Sequence, residues 1–172
     1  MVSARHVTAA QAMSTRAAAV LAAVGAVPDP ELPVVTIEEL GILRGVVVEG
    51  RHATITLTPT YSGCPALDAI RADVVAAAQA AGALEVEVRT EPAPAWTTDW
   101  ITDAGRAKLA AHGIAPPLSA PQPGTVAIAL TIRCPQCGSP DTRERSRFSG
   151  TACKSLWSCH ACQEPFEHLK AI

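Results

Sequence analysis

Aromatic residues are nearly missing from this 172-residue chain: two Phe, three Trp and one Tyr, 3% of the total. A core must therefore be built mainly from Ala, Val, Leu and Ile. Charge is also sparse, at 17% Asp, Glu, Lys and Arg with a formal net charge of -2, which argues against the whole chain being a non-specific polyanion binder. Long apolar runs are absent. The longest, residues 17–27, has 11 residues, against roughly 20 needed to span a bilayer, so no membrane partner is expected. There is no glycine-rich phosphate loop, no acid/base carboxylate pair and no two-His-one-carboxylate pattern, which removes the commonest enzymatic readings. The chain is still globular: 48% hydrophobic residues and a mean hydropathy of +0.20 are too apolar for disorder.

Cysteine is scarce in one part and abundant in another. Cys64 stands alone in the first 133 residues, whereas Cys134, Cys137, Cys153, Cys159 and Cys162 crowd into the last 40. Charge follows the same division. Residues 1–132 carry eight basic against twelve acidic residues, and residues 133–172 carry six against four. This split predicts two domains.

The late cysteines form Cys134-Pro-Gln-Cys137-Gly138 and Cys159-His-Ala-Cys162, separated by 21 residues. Two C-x-x-C knuckles supply four thiolates for a closed tetrahedral site, the donor set of structural zinc. A glycine after the second cysteine permits the turn that aims backbone N–H groups at sulfur. The spacer predicts two strands, so the module reads as a zinc ribbon whose metal supplies much of its folding energy. Two disulfides, or iron in place of zinc, are the competing readings, and the spacing argues for a reducing, cytoplasmic setting. Arg143, Arg145 and Arg147 are expected on one strand face, either solvated or against phosphate. Cys153 could exchange with a knuckle cysteine, but reads better as a small buried residue. His160, inside the second knuckle, is not needed as a ligand. His112 and His168 have no partners identifiable by spacing.

Upstream, the pattern predicts a helix from Ser14 or Thr15 to about Val24 and then a stiff loop, Pro28-Asp29-Pro30-Glu31-Leu32-Pro33. A helical turn at Thr36–Leu40 follows. Ile42–Glu49 and Ala53–Thr58 read as a β-hairpin. A helix from Ala66 to Ala81 carries Leu67, Ile70, Val74 and Ala78 on one stripe. Leu84–Thr90 reads as a half-buried strand and Thr102–His112 as a helix. The fold class is thus α+β, an α-β-β-α-β-α domain over 14–112. A Pro-rich linker over 113–125 and a ribbon over 126–172, opening with a strand at Val126–Ile132, complete the chain.

Cys64 lies just before Pro65, which suits the first position of a helix. A thiol near a helix N-terminus is expected to have a lowered pKa, and would serve as a metal ligand or nucleophile. An inert buried thiol is the plainer alternative. No His and Asp are placed by spacing to make a triad with it.

Asp29-Pro30-Glu31-Leu32-Pro33-Val34, Leu40-Gly41-Ile42 and Ser62-Gly63-Cys64-Pro65 resemble the SufT-like iron–sulfur assembly domain, over residues 14–92. Thr97-Thr98-Asp99-Trp100-Ile101, Gly113-Ile114-Ala115-Pro116-Pro117, the first knuckle, Thr151-Ala152-Cys153-Lys154 and Glu164-Pro165-Phe166 extend the likeness to the PaaD family of the phenylacetyl-CoA epoxidase system. The resemblance implies a non-catalytic accessory factor in aerobic phenylacetate breakdown, which matures an iron–sulfur reductase or di-iron oxygenase partner. It makes Cys64 the functional residue, holding iron or a cluster transiently, with Asp29 or Glu31 assisting. Because a cluster normally takes four thiolates, two chains of a homodimer could share one. A structural adaptor of the oxygenase complex and a nucleic-acid-binding ribbon protein are the alternative functions.

Overall fold

In the computed structural model, residues 9–61, 63–117 and 132–170 are described. The chain runs α1 (Ala9–Gly25), β1 (Leu43–Glu49), β2 (His52–Leu57), α2 (Leu67–Ala80), β3 (Glu85–Thr90), a 3-10 turn (Thr98–Trp100) and α3 (Asp103–Ala111). It continues through β4 (Ile114–Ala115), β5 (Thr142–Ser146), β6 (Lys154–Cys159) and β7 (Pro165–Leu169). This is the expected α+β order. Helix α1 starts earlier than the predicted cap, because Ala9, Ala10, Ala12 and Met13 are strong helix formers that carry the helix past Ser14 and Thr15.

The first sheet has the order β1-β2-β3. β1 and β2 form the antiparallel hairpin, and α2 carries the chain across to place β3 parallel to β2. Strand alternation decides which face is covered. Ala53, Ile55 and Leu57 of β2 are fully buried, while His52, Thr54 and Thr56 between them are not. Helix α2 buries Ile70, Val74 and Ala78, spaced at four residues so that they share one stripe. Truncating Ile70 to Ala would leave a cavity costing about 2–5 kcal/mol.

The second sheet has the order β4-β7-β6-β5. Its β4 comes from the segment expected to be linker. Ile114 and Ala115 pair parallel with Glu167 and His168 of β7, so the chain leaving α3 enters the ribbon sheet at once. The strand predicted at Val126–Ile132 lies outside the described residues, apart from Ile132. The two modules also share a core. Cys153 and Leu169 of the ribbon belong to the same buried cluster as Val20, Ile55, Leu57 and Ile70 of the first domain. Cys134, Cys159, Ala115 and Phe166 form a separate small core around the knuckles.

The Pro loop is locked at both ends. Pro28 bridges Thr36, and the Ile37 N–H donates to Val27 O at 2.9 Å. The expected turn at Thr36–Leu40 is a single one, closed by a reciprocal cap. The Glu39 N–H donates to Thr36 Oγ1, and the Thr36 N–H to the Glu39 carboxylate. Gly41 then takes φ +73°, with Trp100 so close that a Cβ would lie 2.5 Å from its Cβ. Only glycine fits there, and the close approach keeps the Trp96–Trp100 segment against Leu40.

Candidate metal centres

The two knuckles come together as the spacing predicts. Cys134, Cys137, Cys159 and Cys162 place their sulfurs all within 4.8 Å of one another. Sγ of Cys134 lies 3.7 Å from that of Cys162, and Sγ of Cys137 3.6 Å from that of Cys159. Four sulfurs at zinc-bond length around a tetrahedral centre are separated by about 3.8 Å. The donor set and its geometry therefore fit one tetrahedral metal ion, and the four are free thiols rather than two disulfides.

Each knuckle needs a left-handed residue after its second cysteine. Gly138 supplies it in the first, at φ +72°, and Gln163 takes it in the second, at φ +64°. The N–H groups of Cys162 and Ala161 reach the Cys159 sulfur and bring its pKa down to about 6. His160 points elsewhere, with Nδ1 3.1 Å from Asp141 Oδ1. The arginines do not share a face as expected. A register shift between Glu144 and Ser146 leaves Arg145 unpaired, and Arg147 falls past the end of β5. The bulge breaks the period-2 alternation on which that expectation rested.

A second site lies where the ribbon meets the first domain. A cavity of about 20 Å³ is lined by Asp29, Glu31, Cys64, Trp96, Cys153 and Lys170, among others. The Pro loop supplies the carboxylates. Asp29 is 6% exposed, and its Oδ1 accepts the N–H groups of Glu31 and Leu32, both at 2.8 Å. These two bonds fix the turn that presents Glu31. The Gly-Cys-Pro turn supplies Cys64, whose N–H donates to Tyr61 O at 3.3 Å. Trp96 closes the floor, its Nε1 donating to Leu40 O at 2.8 Å. Cys153 enters from the start of β6. Its thiol lies 3.7 Å from Glu31 Oε2 and 3.1 Å from Thr151 Oγ1.

The electrostatics correct the expectation for Cys64. Helix α2 begins at Leu67, with Ala66 as its cap, so Cys64 sits two residues outside the cap. The N–H groups of Ala66 and Leu67 favour its thiolate, but burial outweighs them, and Glu31 and Asp29 add repulsion, so its pKa is raised. Burial also raises Asp29 and Cys153. Tyr61 belongs to the same environment: burial, then Cys64, Glu31 and Cys153, push its phenol up. Asp29, Cys64, Cys153 and Tyr61 thus all resist ionising here.

Of the residues singled out from the sequence, Asp29, Glu31 and Cys64 are gathered here. Cys153 is buried, as expected, but its place beside Glu31 has no counterpart in the sequence pattern. Its only signal is the Thr-Ala-Cys-Lys motif. Trp96 and Lys170 give none.

Among the described residues, no helix is long and apolar enough to cross a membrane. Residues 17–89 match the family described as "Iron-sulfur cluster assembly protein", and residues 119–170 match the "PaaD zinc beta ribbon domain". A crystal structure of a DUF59 domain from Bacillus anthracis is 29% identical with a TM-score of 0.52, covering 58% of this chain and 96% of that one. A protein of Escherichia coli (strain K12), named for the D component of 1,2-phenylacetyl-CoA epoxidase, is 42% identical over 146 residues, 85% of this chain and 87% of the relative. With an assembly-type domain, a PaaD ribbon and this identity along most of its length, the chain belongs to the PaaD family of phenylacetyl-CoA epoxidase components.

Proposed function

We propose that this protein is a non-catalytic maturation factor of a phenylacetyl-CoA epoxidase, handing iron or an iron–sulfur unit to the reductase or oxygenase component. The observation that carries the reading is the junction cavity, where Cys64 meets the Asp29 and Glu31 carboxylates. Its donors, two thiols and two carboxylates, are metal-ligand types. The ribbon holds zinc permanently and braces the cavity through Cys153 and Leu169. Thiols kept protonated by burial bind metal only with proton release, so cargo binding is reversible with conditions. The family match to an assembly-type domain and the relative named for an epoxidase component support the same reading.

The test is Cys64→Ser in a host that grows on phenylacetate and lacks other copies. The expected result is reductase or oxygenase that accumulates with a reduced iron content and little epoxidase activity. Full iron content and activity in both partners would overturn the proposal.

A further inference from the structure

Cys153 has no part in the ribbon's quartet, yet it is the ribbon residue that reaches the first domain's acids. Its sulfur stands 3.7 Å from Glu31 Oε2. A sulfur and a carboxylate oxygen bound to one tetrahedral divalent ion are separated by about 3.6 Å, given zinc-type bond lengths. The two groups are therefore already spaced as joint ligands. Cys64 and Asp29 line the same cavity, so its walls offer two sulfurs and two carboxylates.

The volume selects among cargoes. A cavity of about 20 Å³ is near the smallest that holds one water molecule. That suits a single ion and is too small for a four-iron cluster. Charge points the same way. Four acidic groups line the cavity with one lysine, Lys170. Two sulfurs and two carboxylates are the donor types of a thiophilic divalent cation.

From this we propose that Cys153 and Glu31, with Cys64, form a site for one thiophilic divalent ion of the iron(II) class, built across the junction of the two domains. This rests on the reading of Cys64 as the cargo residue and adds to it a second thiolate from the ribbon, a single-ion cargo and a reason for the two domains to be joined. The ligand atoms of the junction stand further apart than those of the ribbon: among the described residues, only the knuckle quartet has three or more candidate ligand atoms within 4.8 Å. Closing the site takes rotation of the Cys64 side chain and loss of the two thiol protons to solvent. No electron is transferred.

The experiment is an anaerobic titration of full-length, zinc-loaded protein with Co(II), repeated with Fe(II), while zinc content is followed throughout. Wild type is expected to bind one Co(II) beyond the zinc, with a sulfur-to-cobalt charge-transfer band of two-thiolate intensity. Cys153→Ser and the smaller Cys153→Ala are each expected to keep their zinc, weaken Co(II) binding at least about tenfold and halve the band per bound ion. Glu31→Gln is expected to weaken binding and keep the full band. If both Cys153 variants bind like wild type while Cys64→Ser does not, the two-domain site is overturned and the Cys64 reading survives. If wild type binds no second ion, or binds one that no Cys153 or Cys64 variant affects, the proposal also falls.

Discussion

The molecule holds two groups of cysteines, one gathered on local turns and one drawn from distant stretches of the chain. In the knuckles, four thiols sit on local turns whose N–H groups face sulfur; Cys159 is held down to about 6, while burial and the neighbouring cysteines hold Cys137 and Cys162 up. Their sulfurs already stand at tetrahedral spacing. In the junction cavity, Cys64 and Cys153 are pushed up by burial and by neighbouring carboxylates. Their partners come from three separate stretches of the chain. On the reading proposed above, the first arrangement retains a metal as part of the fold. On the same reading the second carries a cargo, with its donors brought together by the fold rather than by one local turn. The same ligand types thus stand on local turns in one place and on long-range packing in the other.

The comparison can be broken most sharply at the knuckles. Cys159→Ser should release the zinc and unfold the ribbon, because the small core of Ala115, Cys134, Cys159 and Phe166 cannot hold a module of that size alone. Zinc analysis and the near-ultraviolet signal of Trp157 would show it. The same change at Cys64 should leave zinc and fold intact, so a Cys64→Ser chain that loses its zinc would erase the distinction.

A smaller effect is expected at the cavity floor. Trp96→Phe removes the donor to Leu40 O and leaves a buried carbonyl unpaired, at a cost of about 1–3 kcal/mol. Denaturant unfolding would measure it, and an unchanged midpoint would show that the floor does not depend on that bond.

The last effect is confined to acid pH. Burial brings His168 down to about 4, and its Nδ1 lies 3.3 Å from Ser155 Oγ. The unfolded chain binds this proton near 6.5, whereas the folded chain does not. Stability is therefore undiminished above about pH 6.5 and falls as pH drops from there toward 4. Proton resonance titration should place His168 well below the ordinary histidine value near 6.5. An ordinary value would mean that the ribbon's interior is wetter than its packing indicates.

Legibility in the sequence followed locality. The knuckles were readable because each is five residues long and its chemistry needs no distant partner. The hairpin, α2 and α3 were readable for the same reason, from periodicity and glycine stops. The junction was not. No spacing relates Cys153 to Glu31, 122 residues away, and the strand at Ile114–Ala115 hid inside a proline-rich stretch. The face-sharing of the arginines failed at one bulge, which alternation alone does not show. The lowered pKa expected of Cys64 failed because helix position was visible and burial was not. Resemblance supplied what spacing could not, marking the Asp-Pro-Glu loop and the Gly-Cys-Pro turn as one functional unit that the fold then brings together.

The central claim is that the chain carries one resident metal and one Cys64-dependent cargo. Zinc and iron analysis of full-length protein purified without air, as wild type and as Cys64→Ser, tests it most directly. Close to one zinc per chain is expected in both, with iron in the wild type alone. Equal iron in the two proteins, or none in either, would contradict it.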